Sequence, residues 1–227
     1  MVMAAGFGTR MGPLTADRPK PLLQAGGKAL VDHALDDCVA AGVTRAVINL
    51  HYRGDQIRAH LATRQAPEIV YSPEDPVLET GGGVVRALPH LGAVFYVVNA
   101  DAVFTGPPPL AALAAAWDPD AMDALLLVAP LARVAAHPGA GDFFLDAGRL
   151  RRRGGAATAP YVYTGAQIIK AAAFAGAPDG PFSTNLIWDR LLTAGRCFGA
   201  VHPGGWVDVG TPEGLAAADA ALRGRDV

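Results

Sequence analysis

The sequence predicts a single α/β domain, residues 1–227, built on a doubly wound, mostly parallel but mixed sheet. Three observations carry that expectation. Apolar, β-branched runs without polar alternation recur along the chain, as in RAVINL and VFYVVNAD, and strands buried on both faces read in this way. Segments with apolar residues at helical spacing lie between them, and a glycine-rich loop follows the first run. Half of the 227 residues (51%) are hydrophobic, which suits one full core and leaves little room for a second domain.

In chain order, residues 1–5 are expected as the first strand. Leu30, Val31, Ala34, Leu35, Cys38 and Val39 then recur at helical spacing, and Gly42 supplies a C-terminal cap, which predicts the first helix. Residues 45–50 read as a buried strand, 55–61 as a short helix, 68–72 as a strand, 80–88 as a helix and 94–101 as the most strand-like run of all. The second half is less regular. Residues 123–131 form a clear strand, the glycine- and aspartate-rich stretch 141–155 suits hairpins, and 161–169 and 198–202 read as later strands. Residues 105–120 read as a surface loop entering a helix, and another helix is expected over 184–195. A last helix follows Thr211 as N-cap, with Pro212 at its first position.

A formal charge of −2 and a pI near 6.3 argue against nucleic-acid binding by bulk electrostatics, so an anionic ligand must be met locally. Cys38 and Cys197 are too few and too isolated for a disulfide framework or a structural zinc site, and read as buried free thiols. The histidines show no pair at ligand spacing. No charged leader with a long apolar run opens the chain, and its apolar stretches stop well short of about 18 residues, so a cytoplasmic protein without membrane contact is expected.

The loop at residues 3–23, MAAGFGTRMGPLTADRPKPLL, is too irregular for a helix. It is not a Rossmann fingerprint, because Met11 stands where the third glycine belongs. Nor is there a Walker A loop, because Gly27–Lys28 is followed by Ala29 and has Leu22 at the first glycine position. Gly6 and Gly8 still permit backbone N–H groups to approach a phosphate, Arg10 adds a bidentate donor, and Lys20 adds a point charge.

Taken in order, AAGFGTRM (4–11), PLT (13–15) and PKPL (19–22) resemble the signature of the sugar-1-phosphate nucleotidyltransferases. The similarity runs through nearly the whole chain: SPEDPVLETGGGVVRAL resembles that family's second loop over nucleobase and sugar, VVNAD its metal-binding strand end, and GGWVDVGTPEGL its closing motif. LETGGG, the GDF at 141–143 and WVDVGT are most similar to the short bacterial members that make UDP-N-acetylmuramate from N-acetylmuramate 1-phosphate, so the C-terminal left-handed β-helix of longer members is not expected. The few residues that usually precede Val2 are short here, so the first strand is expected to be cut short.

The resemblance implies a Rossmann-like nucleotidyltransferase fold and a reaction in which a sugar-phosphate oxygen attacks the α-phosphorus of an NTP in line while pyrophosphate leaves. It carries Arg10 and Lys20 over as catalytic cations, Asp101 and Asp208 as Mg²⁺ ligands, Ala4, Ala5, Gly6, Phe7, Gly8, Thr9, Arg10, Glu74 and Gly81 as nucleotide contacts, and Glu79, Gly82, Asn99 and Asp142 as sugar contacts. The implied partners are UTP and N-acetylmuramate 1-phosphate, with the protein a monomer or small homo-oligomer. Gly81, Gly82 and Gly83 either present N–H groups to the lactyl carboxylate of that sugar or merely form the base-contacting turn.

Plainer roles exist for most of these residues. Asp101 could cap or turn, Asp208 could cap near Thr211, Glu74 and Glu79 could be solvated loop acids, Asp142 could shape a turn, and residues 151–153 suit a solvated turn better than a phosphate site. Three other functions stand beside the favoured one. A nicotinamide dehydrogenase lacks its glycine fingerprint here, and a catalytically silent regulatory homologue would have lost Arg10, Lys20, Asp101 or Asp208, all of which are present. A mannose 1-phosphate guanylyltransferase remains open, since a carboxylate such as Glu74 can accept from N3–H of uracil or from N1–H of guanine alike.

Overall fold

The structure is a computed structural model that describes residues 1–135 and 137–224; residue 136 and residues 225–227 of the expected domain lie outside the described residues. Strand β1 (Val2–Met3) is shorter than the run 1–5 because Ala4 gives its N–H to Asn49 Oδ1, which takes the chain out of the ladder. A small hairpin, β2 (Gln24–Ala25) and β3 (Lys28–Ala29), then leads into α1 (Leu30–Ala40), whose Leu30, Val31, Ala34, Leu35 and Cys38 are buried at the expected spacing. Next come β4 (Arg45–Leu50), α2 (Gly54–Leu61), β5 (Glu68–Pro73), α3 (Glu79–Ala87) and β6 (Val94–Asn99), within a residue or two of the sequence expectation. The run 94–101 stops at Asn99, and a turn at Ala100 and Asp101 starts a separate strand, β7 (Ala102–Thr105), that the pattern did not reveal.

The second half comprises α4 (Pro109–Ala116), β8 (Ala124–Pro130), β9 (Val134–Ala135), the expected hairpin β10 (Phe143–Asp146) and β11 (Arg149–Arg152), β12 (Tyr161–Lys170), α5 (Asn185–Thr193), β13 (Cys197–Val201), β14 (Gly205–Asp208) and α6 (Pro212–Arg223). Thr211 Oγ1 accepts from Gly214 N at 3.3 Å, the predicted cap, worth about 1 kcal/mol.

Among the described residues the main sheet has nine strands in the order β10-β11-β13-β8-β12-β6-β1-β4-β5. Strands β6, β1, β4 and β5 are parallel, while β12 runs antiparallel to both β6 and β8, so the sheet is mixed as expected. Leu125 and Leu127 of β8 face one core with α1, α2 and α4, and Leu126 and Val128 face the other with α3 and α5. This is why the strand shows no polar alternation: both faces are covered. Each such side chain contributes roughly 1.5–3 kcal/mol on burial. A third cluster, with Met11, Leu23, Leu30, Val103, Val207, Val209 and Ala218, fastens the glycine-rich loop to β7, β14 and α6. Strands β7, β14 and β9 form a separate small sheet that pairs Asp208 with Ala102. Cys38 and Cys197 are buried free thiols, and burial pushes the Cys197 thiol up to about 12. No helix among the described residues is long and apolar enough to cross a membrane.

Candidate active site

The parallel strands β1, β4, β5 and β6 all end on the same edge, and β1 lies where the connections diverge to β4 on one side and β6 on the other. Open α/β sheets bind ligands at such a switch point. Two adjoining clefts open there. The larger, about 300 Å³, is walled by the glycine-rich loop and by the segment after β5; the smaller, about 170 Å³, is walled by β12, β14 and the segments around residues 137 and 142. Arg10, Asn99 and Asp101 line both, so these three residues form the border between the clefts.

The glycine-rich loop owes its shape to a few local choices. Gly8 sits at φ +64°, and a Cβ there would lie 2.9 Å from the Lys20 Cβ, so only glycine lets the loop close over the lysine stem. Thr15 Oγ1 donates to the carbonyls of Gly8 and Gly12, and Met11 plugs the third core. From outside, the turn after β4 grips the loop's carbonyls: Tyr52 Oη donates to Thr15 O (2.8 Å), Arg53 Nη2 to Ala16 O (2.7 Å) and Gln56 Nε2 to Asp17 O (2.9 Å). The loop is therefore held from both sides.

Lys20 is buried and places Nζ 2.5 Å from Asp101 Oδ2, with 10% and 35% of the two side chains exposed. Asp101 lies in the turn between β6 and β7, next to Ala102, and Ala102 pairs with Asp208, so the small sheet brings together two acids far apart in sequence. Asp208 Oδ2 is 3.0 Å from His137 Nδ1. A Cβ on Gly210 would lie 2.9 Å from Arg10 Nη1 and 3.0 Å from Asp208 Oδ1, so a side chain at 210 would crowd both Arg10 and Asp208. The described residues contain no cluster of three or more His, Cys, Asp or Glu able to hold a metal. Asp101 and Asp208 as an all-oxygen pair fit Mg²⁺, which takes one or two protein carboxylates and completes its shell with phosphate oxygens and water.

Of the residues expected at the nucleotide, Ala4, Ala5, Gly6, Gly8, Thr9, Arg10 and Glu74 line the larger cleft. Phe7 and Gly81 do not. Phe7 turns out to solvent, 47% exposed, and meets His51 edge-on at 5.2 Å. Gly81 and Gly82 spend their N–H groups on Phe182 O, and a Cβ at 82 would lie 2.4 Å from Gly180 O. The expected contact of Gly82 with sugar is thus replaced by close packing of α3 on residues 180–182. Glu79, expected at the sugar, lines the larger cleft instead, in a left-handed conformation (φ +58°) uncommon for a non-glycine residue. Asn99 and Asp142 line the smaller cleft, Asp142 accepting from Tyr163 N at 2.9 Å.

The structure adds residues the sequence did not single out. Asn49 lines the larger cleft, and its polarity at the end of an otherwise apolar strand run was the available signal. Trp206 shares its face of β14 with Asp208 by the two-residue period and lines the smaller cleft; its buried Nε1 has no hydrogen-bond partner among the described residues. His137 lies in a Gly/Pro-rich segment with no periodic signal at all. Tyr163 lines the same cleft as a neutral hydroxyl, since burial pushes its pKa up.

Two adjoining clefts that share a cationic and acidic border over the strand ends can seat two anionic ligands side by side. The MobA-like NTP transferase domain matches residues 1–156. An N-acetylmuramate alpha-1-phosphate uridylyltransferase from Caulobacter vibrioides is 46% identical over 98% of this chain and 96% of that protein. A mannose-1-phosphate guanyltransferase from Hypocrea jecorina is 35% identical but matches over only 45% of this chain and 30% of its own. In solved structures, HddC from Yersinia pseudotuberculosis complexed with GMP-PN superposes with a TM-score of 0.77 at 21% identity over 96% of each chain, which shows the shared fold. The chain belongs to the MobA-like NTP transferase family and is a nucleotidyltransferase.

Proposed function

We propose that this enzyme transfers the uridylyl group of UTP to N-acetylmuramate 1-phosphate, giving UDP-N-acetylmuramate and pyrophosphate, as a cytoplasmic step in cell-wall recycling. The observation that carries the transfer is the shared border: a nucleotide in the larger cleft and a sugar phosphate in the smaller one meet at Arg10, Asn99 and Asp101. The choice of substrates is supported by the near full-length similarity to the Caulobacter uridylyltransferase. Within the border, Arg10 grips the phosphates that leave as pyrophosphate, and Lys20 balances charge on the reacting ones. The bond from the sugar-phosphate oxygen to the α-phosphorus forms as the bond to the bridging β-phosphate oxygen breaks, and no covalent enzyme intermediate is needed. Asp101 and Asp208 would hold a Mg²⁺, which supplies charge neutralisation there. Lys20, already paired with Asp101, keeps that carboxylate partly compensated before substrates arrive.

Pyrophosphate release measured across UTP, CTP, ATP and GTP with several sugar 1-phosphates tests this. UTP with N-acetylmuramate 1-phosphate should exceed glucose, mannose and N-acetylglucosamine 1-phosphates by at least about tenfold in kcat/KM, roughly 1.4 kcal/mol of transition-state binding. A clear win for another pair overturns the substrate assignment and leaves the nucleotidyl transfer standing.

A further inference from the structure

Glu74 is 4% exposed, and each of its oxygens accepts from a protein donor: Asn49 Nδ2 donates to Oε1 at 2.8 Å and Leu78 N donates to Oε2 at 2.8 Å. Asn49, 2% exposed, accepts in turn from Ala4 N at 2.7 Å through Oδ1. These contacts form one buried line, from Ala4 N–H to the Asn49 amide to the Glu74 carboxylate to Leu78 N–H. Its ends are the two walls of the larger cleft, since Ala4 opens the glycine-rich loop and Leu78 immediately precedes Glu79 and Thr80 on the opposite wall. The third glycine of the GGG run makes room for it: a Cβ on Gly83 would lie 2.6 Å from Glu74 Oε1 and 3.1 Å from Asn49 Nδ2.

The polarity of the line is fixed from its ends. Ala4 N–H and Leu78 N–H can only donate, so the amide oxygen of Asn49 must face Ala4, its NH₂ must face Glu74, and Glu74 must accept on both sides. We propose that Asn49 and Glu74 are positioning residues that set the two walls of the nucleotide cleft against each other, and that Glu74 acts on the nucleotide through Leu78 instead of reading the base itself. The proposal rests on the larger cleft being the nucleotide site.

The line allows an exchange that keeps shape and net charge. Glu74→Gln alone puts an NH₂ against either the Asn49 NH₂ or Leu78 N–H, leaving one buried donor facing another. Asn49→Asp alone sets two carboxylates against each other. The two together restore every bond: the new carboxylate at 49 accepts from Ala4 N–H and from the new amide at 74, whose oxygen accepts from Leu78 N–H. Each single variant should raise the nucleotide KM by about tenfold or more while the sugar-phosphate KM moves little, and the joint variant should return to within about threefold of the starting protein. Thermal unfolding of the same four proteins closes the cycle without substrate, with both singles melting lower and the joint variant recovering. An inactive starting protein would sink the functional reading alone, and the melting cycle would still decide the relay. A silent Glu74→Gln, a joint variant no better than the worse single, or a change in base preference that the joint variant fails to reverse would each overturn the proposal.

Discussion

The two halves of the molecule reach the same border by different means. From β1 to β6, the site is made of strand ends and the loops that leave them: Ala4, Asn49, Glu74 and Asn99 follow or close four neighbouring parallel strands, and sheet register alone brings them together. From β7 onward, the site residues come from the short strand β14, from connecting segments and from a bulged stretch of β12, and none is positioned by the parallel core. The first half resembles a preformed cradle for an anion. The second is a graft that completes it, tied on by the pairing of Asp208 with Ala102 and by the third core.

Asp101 and Asp208 test whether the graft matters as much as the cradle. Each changed to alanine should take pyrophosphate release down by about a thousandfold or more, because each removes a carboxylate that the reaction's charge depends on. The two should part in stability: Asp101→Ala strands the buried Lys20 ammonium and should melt clearly lower, whereas Asp208→Ala loses, among the described residues, the His137 contact alone. Near-normal turnover in either variant would break the equivalence of the halves. Arg10 belongs to the first half but lines the smaller cleft together with Asp208 of the second, and Arg10→Ala should cost roughly a hundredfold in kcat, as loss of a charge stabiliser does. A change confined to the sugar-phosphate KM would contradict its place at the border.

Gly82 sharpens the contrast from the packing side. Sequence reasoning set it beside a bulky sugar, yet its Cβ position is blocked by Gly180 O at 2.4 Å. Gly82→Val should therefore lower the melting temperature and depress activity alike with every sugar 1-phosphate. A loss selective for N-acetylmuramate 1-phosphate would restore the original expectation. The smallest effect lies far from the clefts. Asp123, at the head of β8, is held at a pKa of about 2, below its usual 3.8, by hydrogen bonds from Arg196 and Lys170. A depressed carboxylate contributes stability above its unfolded pKa and loses it as pH falls through the folded one, so that contribution should fade between about pH 4 and pH 2. Urea unfolding of Asp123→Asn should lack that part of the acid limb.

The sequence revealed the first half almost residue by residue, because runs such as RAVINL are buried on both faces and the signature loop is dense with glycine and charge. Asp101 and Asp208 were singled out by the family resemblance, and the structure places both at the clefts. Their meeting was not legible, since β7, β9 and β14 have four, two and four residues, too short for any period to register. His137 was hidden for the same reason. The GGG run stayed open between two roles because a glycine that admits a neighbour reads the same whether the neighbour is a ligand or, as at Gly81, the ring of Phe182.

That Asp101 and Asp208 act as one site across the two halves can be measured directly by titrating Mn²⁺, a spectroscopic stand-in for Mg²⁺, into the enzyme with a non-reacting UTP analogue and counting bound ion by electron paramagnetic resonance. The wild-type complex should bind Mn²⁺ more tightly than the analogue does alone, and Asp101→Ala and Asp208→Ala should each lose that gain. Either variant holding that ion as tightly as the wild type would contradict the shared site.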